Sequence, residues 1–222
     1  MLLFSIDLYT ESIHCEIMPV IPEYWQSAKD YLRTADSVIA DLIERFEEPP
    51  LSSKEELFET LIHSIVGQQI SAIAADAIWG RLGKLVELGV PDSFAAVKDQ
   101  ELRDVGLSFR KIEYIRGIIE AWPHLSTVDW NNSSDEEVRK ELVALRGIGP
   151  WTVDMILIFN LLRPDILPLG DVGIVRMIER LYADGESLDQ EELLEIGSKW
   201  IPYRTVACWY LWRFLDPEPV EY

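Results

Sequence analysis

Leu145-Arg146-Gly147-Ile148-Gly149-Pro150-Trp151 is the stretch on which the fold turns. Two glycines one residue apart, followed by proline, end one helix and begin another. Upstream, Ser133 and Glu136 stand at capping-box spacing and lead into a helix over 137–145. Downstream, apolar residues at helical spacing predict a helix over 151–161, which Pro164 and Pro168 break. The stretch therefore joins two helices in a tight hairpin and lets another backbone approach closely. Its second helix opens with unpaired N–H groups and a positive dipole end, which can grip a phosphate without Lys or Arg.

The same signals recur on either side. Pro22 opens a helical segment over 23–32, and 35–46 follows. Glu47-Glu48-Pro49-Pro50 reads as a lobe boundary. Ser53 with Glu56 predicts a capped helix to about Val66. Further helices are predicted over 71–86, 100–105, 108–122, 171–182, 190–200 and 203–214. Strand alternation is weak apart from an extended piece near 2–9. The expected fold is all-α, with about ten helices in two lobes that flank a cleft. One lobe is discontinuous, 1–51 plus 159–222; the other, 52–158, has six helices and ends in the helix-hairpin-helix.

The 222 residues, 48% of them hydrophobic, suffice for such a core. No apolar run approaches a membrane span, and the Lys- and Arg-free N-terminus does not read as a signal peptide, so no membrane partner is expected. Met18 offers an alternative start. Cys15 and Cys208 are too few for a disulfide framework, an iron–sulfur cluster or an all-cysteine zinc site, which favours a reducing cytosol. His14, His63 and His124 lack metal-ligand spacing. No cofactor is expected.

Charge argues against a nucleic-acid partner, because the net value is −19. The excess acid is unevenly spread. Residues 1–60 carry −9 and 184–195 carry −6, whereas 61–128, 142–183 and 196–215 carry −1, 0 and +3. The stretches with the informative motifs are thus nearly neutral.

Asp171 lies in Leu167-Pro168-Leu169-Gly170-Asp171-Val172-Gly173, where a helix should start. It reads as an N-cap, worth about 1 kcal/mol, or as a carboxylate kept ionised by the helix dipole and N–H groups. The hairpin, the Gly/Pro-rich stretch and this Asp together resemble the helix-hairpin-helix superfamily of DNA glycosylases, and within it the 3-methyladenine DNA glycosylase II family. The resemblance covers about residues 20–215. It extends to Ser64-Ile65-Val66-Gly67-Gln68-Gln69-Ile70-Ser71, to Gly106-Leu107-Ser108-Phe109-Arg110-Lys111, and to Trp200-Ile201-Pro202-Tyr203-Arg204.

The resemblance implies base flipping and hydrolysis of the glycosidic bond of alkylated purines such as 3-methyladenine, in duplex DNA containing damaged bases, by a monomer. It makes Asp171 catalytic and puts Trp151 and Trp212 in the base pocket. Gln69 becomes the plug for the gap left by the flipped nucleotide, and Ser71, Gly147 and Gly149 become DNA contacts. Backbone carbonyls of Val143, Leu145 and Ile148 match sites for a structural Na+ or K+. Arg110, Lys111, Arg116, Arg146 and Arg204 are candidate phosphate contacts, each with solvated surface charge as its competitor. Relatives that also cleave the backbone place a Schiff-base Lys where this chain has Trp151, which implies a monofunctional enzyme. About 50 residues precede the hairpin-bearing lobe, too few for the β-rich domain of the bacterial prototype, so a compact form is expected. The enzyme would work in the bacterial cytoplasm, at the nucleoid, or in a eukaryotic nucleus. Three other readings stay open: the same fold acting on another lesion, a non-catalytic DNA-binding helix-hairpin-helix protein, and an acidic protein-interaction module.

Overall fold

The computed structural model describes residues 20–46, 49–53 and 56–215. The extended piece near 2–9, Cys15, Met18 and Glu47-Glu48 lie outside them. Among the described residues there are twelve α-helices and no sheet beyond one isolated bridge, Val20 to Ser53. In chain order they are α1 (Trp25–Ala35), α2 (Ser37–Arg45), α3 (Leu57–Gly67), α4 (Ala72–Leu82), α5 (Pro91–Ala96), α6 (Asp99–Asp104), α7 (Phe109–Leu125), α8 (Asp135–Val143), α9 (Pro150–Met155), α10 (Val172–Tyr182), α11 (Gln190–Ser198) and α12 (Arg204–Leu215). A π-helical turn, Ile156–Asn160, continues α9. No described helix is long and apolar enough to cross a membrane.

The all-α expectation holds. The helices fall into two packing groups. α12 packs on α1, α2 and α10, with α11 beside α10, while α3 packs on α4, α7 and the π turn. α5 and α6 lie against α7, and α8 pairs with α9 across the hairpin. One continuous apolar core runs through both groups. Burying a large apolar side chain is worth about 1.5–3 kcal/mol, so positions such as Phe58, Leu61, Ile65, Ile115 and Leu211, all buried, fix these pairings.

Several local expectations need correction. Ser53 does not cap α3: its backbone pairs with Val20, and Glu56 is the N-cap. The box ahead of α8 is Ser134 with Glu137, one residue beyond the expected pair, because Ser133 Oγ turns back to Asp129 O. The helix expected over 71–86 ends at Leu82. α5, opened by Pro91, was not anticipated. The helix expected over 151–161 changes pitch at Ile156.

Candidate active site

The hairpin is built as the sequence implies. Gly147 has φ +93, and a Cβ there would lie 2.3 Å from the Tyr114 ring, so both conformation and packing demand glycine. Gly149 is different. It caps α9 at φ −98, and its missing Cβ faces open space. Arg139 of α8 and Asp154 of α9 pair across the hairpin. Burial pushes the Asp154 carboxyl up, and the guanidinium pulls it back.

Asp171 caps α10, accepting the Ile174 N–H on Oδ1 at 2.9 Å. It does more than cap. Trp151 Nε1 donates to Oδ2 at 2.9 Å and Trp212 Nε1 to Oδ1 at 3.3 Å. Two indoles and one amide thus fix the orientation of a half-buried carboxylate. Gly173 leaves the room: a Cβ there would lie 3.0 Å from Asp171 Oδ1 and 2.9 Å from Leu215.

Beside this carboxylate, a cavity of about 510 Å³ opens between α3, α4 and α9. Trp151, 39% exposed, forms part of its wall. One indole therefore touches both the cavity and Asp171. Trp212 does not line this cavity. It is buried in α12 with its ring 5.5 Å from that of Phe159, which does. The expected pocket role for Trp212 becomes one of orienting Asp171.

The loop from α3 to α4 forms the mouth. Gln69 is exposed there with φ +60, a strained conformation for a side chain. Its neighbour Gln68, which sequence reasoning passed over, donates Nε2–H to Gly147 O at 2.7 Å. The loop is thereby tied to the hairpin. Ser71 caps α4 through Ala74 N–H, so its ordinary role is met, although it stays exposed at the rim. Ile70, Ile73 and Phe109 are exposed apolar side chains nearby in sequence, and the Arg103 guanidinium lies 4.3 Å from the Phe109 ring centre.

The candidate phosphate contacts fare unevenly. Lys111 Nζ donates to Val66 O at 2.7 Å, supporting the end of α3, and burial pushes its amine down. Arg116 holds Asp99 and the carbonyls of Phe94 and Val97. Arg146 pairs with Glu113, and Arg204 makes a two-pronged pair with Asp165. These four cations have internal partners that the sequence could not reveal; Arg110 is exposed.

Among the described residues, no group of three or more His, Cys, Asp or Glu could hold a metal ion. At the hairpin, the Leu145 carbonyl accepts the Ile148 N–H at 3.1 Å and keeps a second lone pair. Neutral carbonyl oxygens of this kind suit Na+ or K+ better than a transition metal.

Known proteins bear on this arrangement. The family described as HhH-GPD superfamily base excision DNA repair protein matches residues 62–203. DNA-3-methyladenine glycosylase 1 of Schizosaccharomyces pombe is 32% identical over 166 residues, 72% of this chain and 73% of that protein. The solved DNA-3-methyladenine glycosidase from Bacillus halodurans is 37% identical with a TM-score of 0.77, covering 86% of this chain and 92% of that one. A solved Schizosaccharomyces pombe 3-methyladenine DNA glycosylase in complex with abasic DNA is 29% identical with a TM-score of 0.74, over 88% and 100% of the two chains. In a Bacillus subtilis relative, 37% identical over 130 residues, the matched part is 45% of that protein's length. Fold, hairpin and sequence agree, and the chain belongs to the HhH-GPD superfamily of base excision DNA repair proteins.

Proposed function

We propose that this chain is a monofunctional DNA glycosylase that flips alkylated purines such as 3-methyladenine out of duplex DNA and hydrolyses the glycosidic bond. The observation that carries the reading is Asp171, held by two indole N–H groups beside a cavity large enough for a purine. Glycoside hydrolysis passes through an oxocarbenium-like state, and a fixed carboxylate stabilises that charge and can activate water. An alkylated purine already carries positive charge and leaves with little protonation. Stacking on electron-rich indole suits such a base, and Trp151 offers an exposed face. Names among the relatives, DNA-3-methyladenine glycosylase in Schizosaccharomyces pombe and Bacillus subtilis, point the same way.

In this reading the enzyme acts as a monomer on duplex DNA containing damaged bases. Gln69 fills the gap in the stack and the rim of Ile70, Ile73 and Phe109 meets the minor groove, as apolar wedges do elsewhere. The open face of Gly149 admits a phosphate to the hairpin amides. The carbonyls of Val143, Leu145 and Ile148 would hold a Na+ or K+, whose charge would sit beside that phosphate.

The test is release of alkylated bases from methylated duplex DNA by the wild type and by Asp171→Asn. Release by the wild type and its near-loss in the variant are expected; no release by either would end the reading. Borohydride added during turnover should trap no covalent complex, because Trp151 stands where a Schiff-base amine would be needed. A trapped complex would remove the word monofunctional.

A further inference from the structure

The polar groups of the cavity are unevenly placed. Trp151, Met155 and Phe159 form an apolar wall from α9 and the π turn. His63 of α3 and Asp76 of α4 line the cavity as well. The His63 ring rests against Trp79, centroids 4.6 Å apart, which fixes its place. Burial pushes the imidazole below its usual range, and the nearby Asp76 carboxylate opposes that shift. His63 is therefore neutral at pH 7. No Lys, Arg or Glu lines the cavity, and Asp76 is its one acidic side chain. Among the described residues Asp76 has no salt-bridge partner, so its charge is left for whatever enters.

We propose that Asp76 makes this cavity selective for a cationic base, favouring a methylated purinium over a neutral purine of the same shape. The inference rests on the glycosylase reading and extends it from the reaction to the choice of base. A purinium in the cavity meets an indole face at Trp151 and a carboxylate at Asp76, and both attract positive charge. A neutral purine keeps the stacking and loses the Coulomb part. Because Asp76 is exposed on its solvent side, water and salt screen that part, and the preference should be moderate. Asp171, by contrast, acts on charge that develops at the sugar. The two carboxylates therefore divide the work: Asp76 reads the charge a lesion already has, and Asp171 stabilises the charge the reaction creates.

The experiment titrates the whole chain with 3,9-dimethyladeninium and with neutral 9-methyladenine, following protein resonances. The wild type should bind the cation about three- to tenfold more tightly, the range for a screened carboxylate, and less so as salt rises. Asp76→Asn should erase the preference while leaving 9-methyladenine affinity unchanged, and Asp76→Glu should keep part of it. On DNA, Asp76→Asn should slow 3-methyladenine release relative to release of the neutral lesion 1,N6-ethenoadenine. A wild type that binds both probes equally, a preference that survives Asp76→Asn, or binding of neither probe overturns the inference. Base release from methylated DNA by the wild type is scored separately. If release is present and the preference absent, Asp76 alone is misassigned; if release itself is absent, the glycosylase reading has failed.

Discussion

Asp36 and Asp171 begin helices in the same way and do different things. Asp36 caps α2, taking the N–H groups of Val38 and Ile39 on Oδ1. Its Oδ2 accepts the Tyr182 hydroxyl at 2.9 Å and Trp200 Nε1 at 3.0 Å. It is 7% exposed, and every donor it meets is internal. Its field and burial push the Tyr182 phenol up. Asp171 takes a backbone amide and two indoles, but it lies half-buried at the cleft, and Oδ2 has only Trp151. Two residues on, Asp36 has Val38 and Asp171 has Gly173. A cap and a tryptophan are common to both; access distinguishes a structural carboxylate from one that can meet a substrate.

Four substitutions would break or sharpen this contrast. Asp171→Asn should cut base release by roughly a thousandfold, the scale of losing a placed electrostatic stabiliser, with stability changed by under about 1 kcal/mol, because Asn caps well. Single-turnover release and a thermal melt check both; near wild-type release would reduce Asp171 to a cap. Asp36→Ala should do the reverse. It strands the Tyr182 hydroxyl and the Trp200 indole in the core, so about 3 kcal/mol of stability should go, read as a lower melting temperature with release per folded molecule unchanged. A large loss of activity in folded protein would mean the two sites are coupled.

Trp151→Phe keeps an aromatic wall and deletes the N–H donor to Asp171, so release should fall about tenfold. If it falls as far as in Asp171→Asn, the indole does more than orient. Gly173→Ala should have the smallest effect, severalfold, since its methyl presses on Asp171 Oδ1 and on the movable end of Leu215. A crystal structure of that variant with an unmoved carboxylate would count against the steric account.

The hairpin and Asp171 were legible in the sequence because their signals are local: glycine spacing, a following proline, an Asp ahead of an apolar run. Asp36 ahead of Ser37-Val38-Ile39 carries a similar signal, yet its partners lie 146 and 164 residues away. Nothing local announces them. Charge was legible and its neutralisation was not: Lys111, Arg116, Arg146 and Arg204 looked alike as candidate phosphate contacts, and each is held internally. Gln68 and Gln69 read identically, and only backbone conformation separates the tie from the exposed tip. Trp212 lies in a helix apolar on every side, so its burial could be read but not which atom its indole would find. The slip at Ser133-Ser134-Asp135-Glu136-Glu137 comes from doubled serines and doubled glutamates, which fit two registers equally well.

The π turn at Ile156–Asn160 stands between the hairpin and Asp171. Such a turn amounts to one surplus residue wound into a helix. Deleting a single residue there would restore ordinary pitch, rotate everything beyond by about 100° and draw it in by about 1.5 Å. Asp171 would then leave the indole of Trp151, although every side chain that touches it remained. The spacing between the turn that would grip DNA and the carboxylate that would act on it is thus kept by counting residues, a constraint on insertions and deletions that no single substitution would expose.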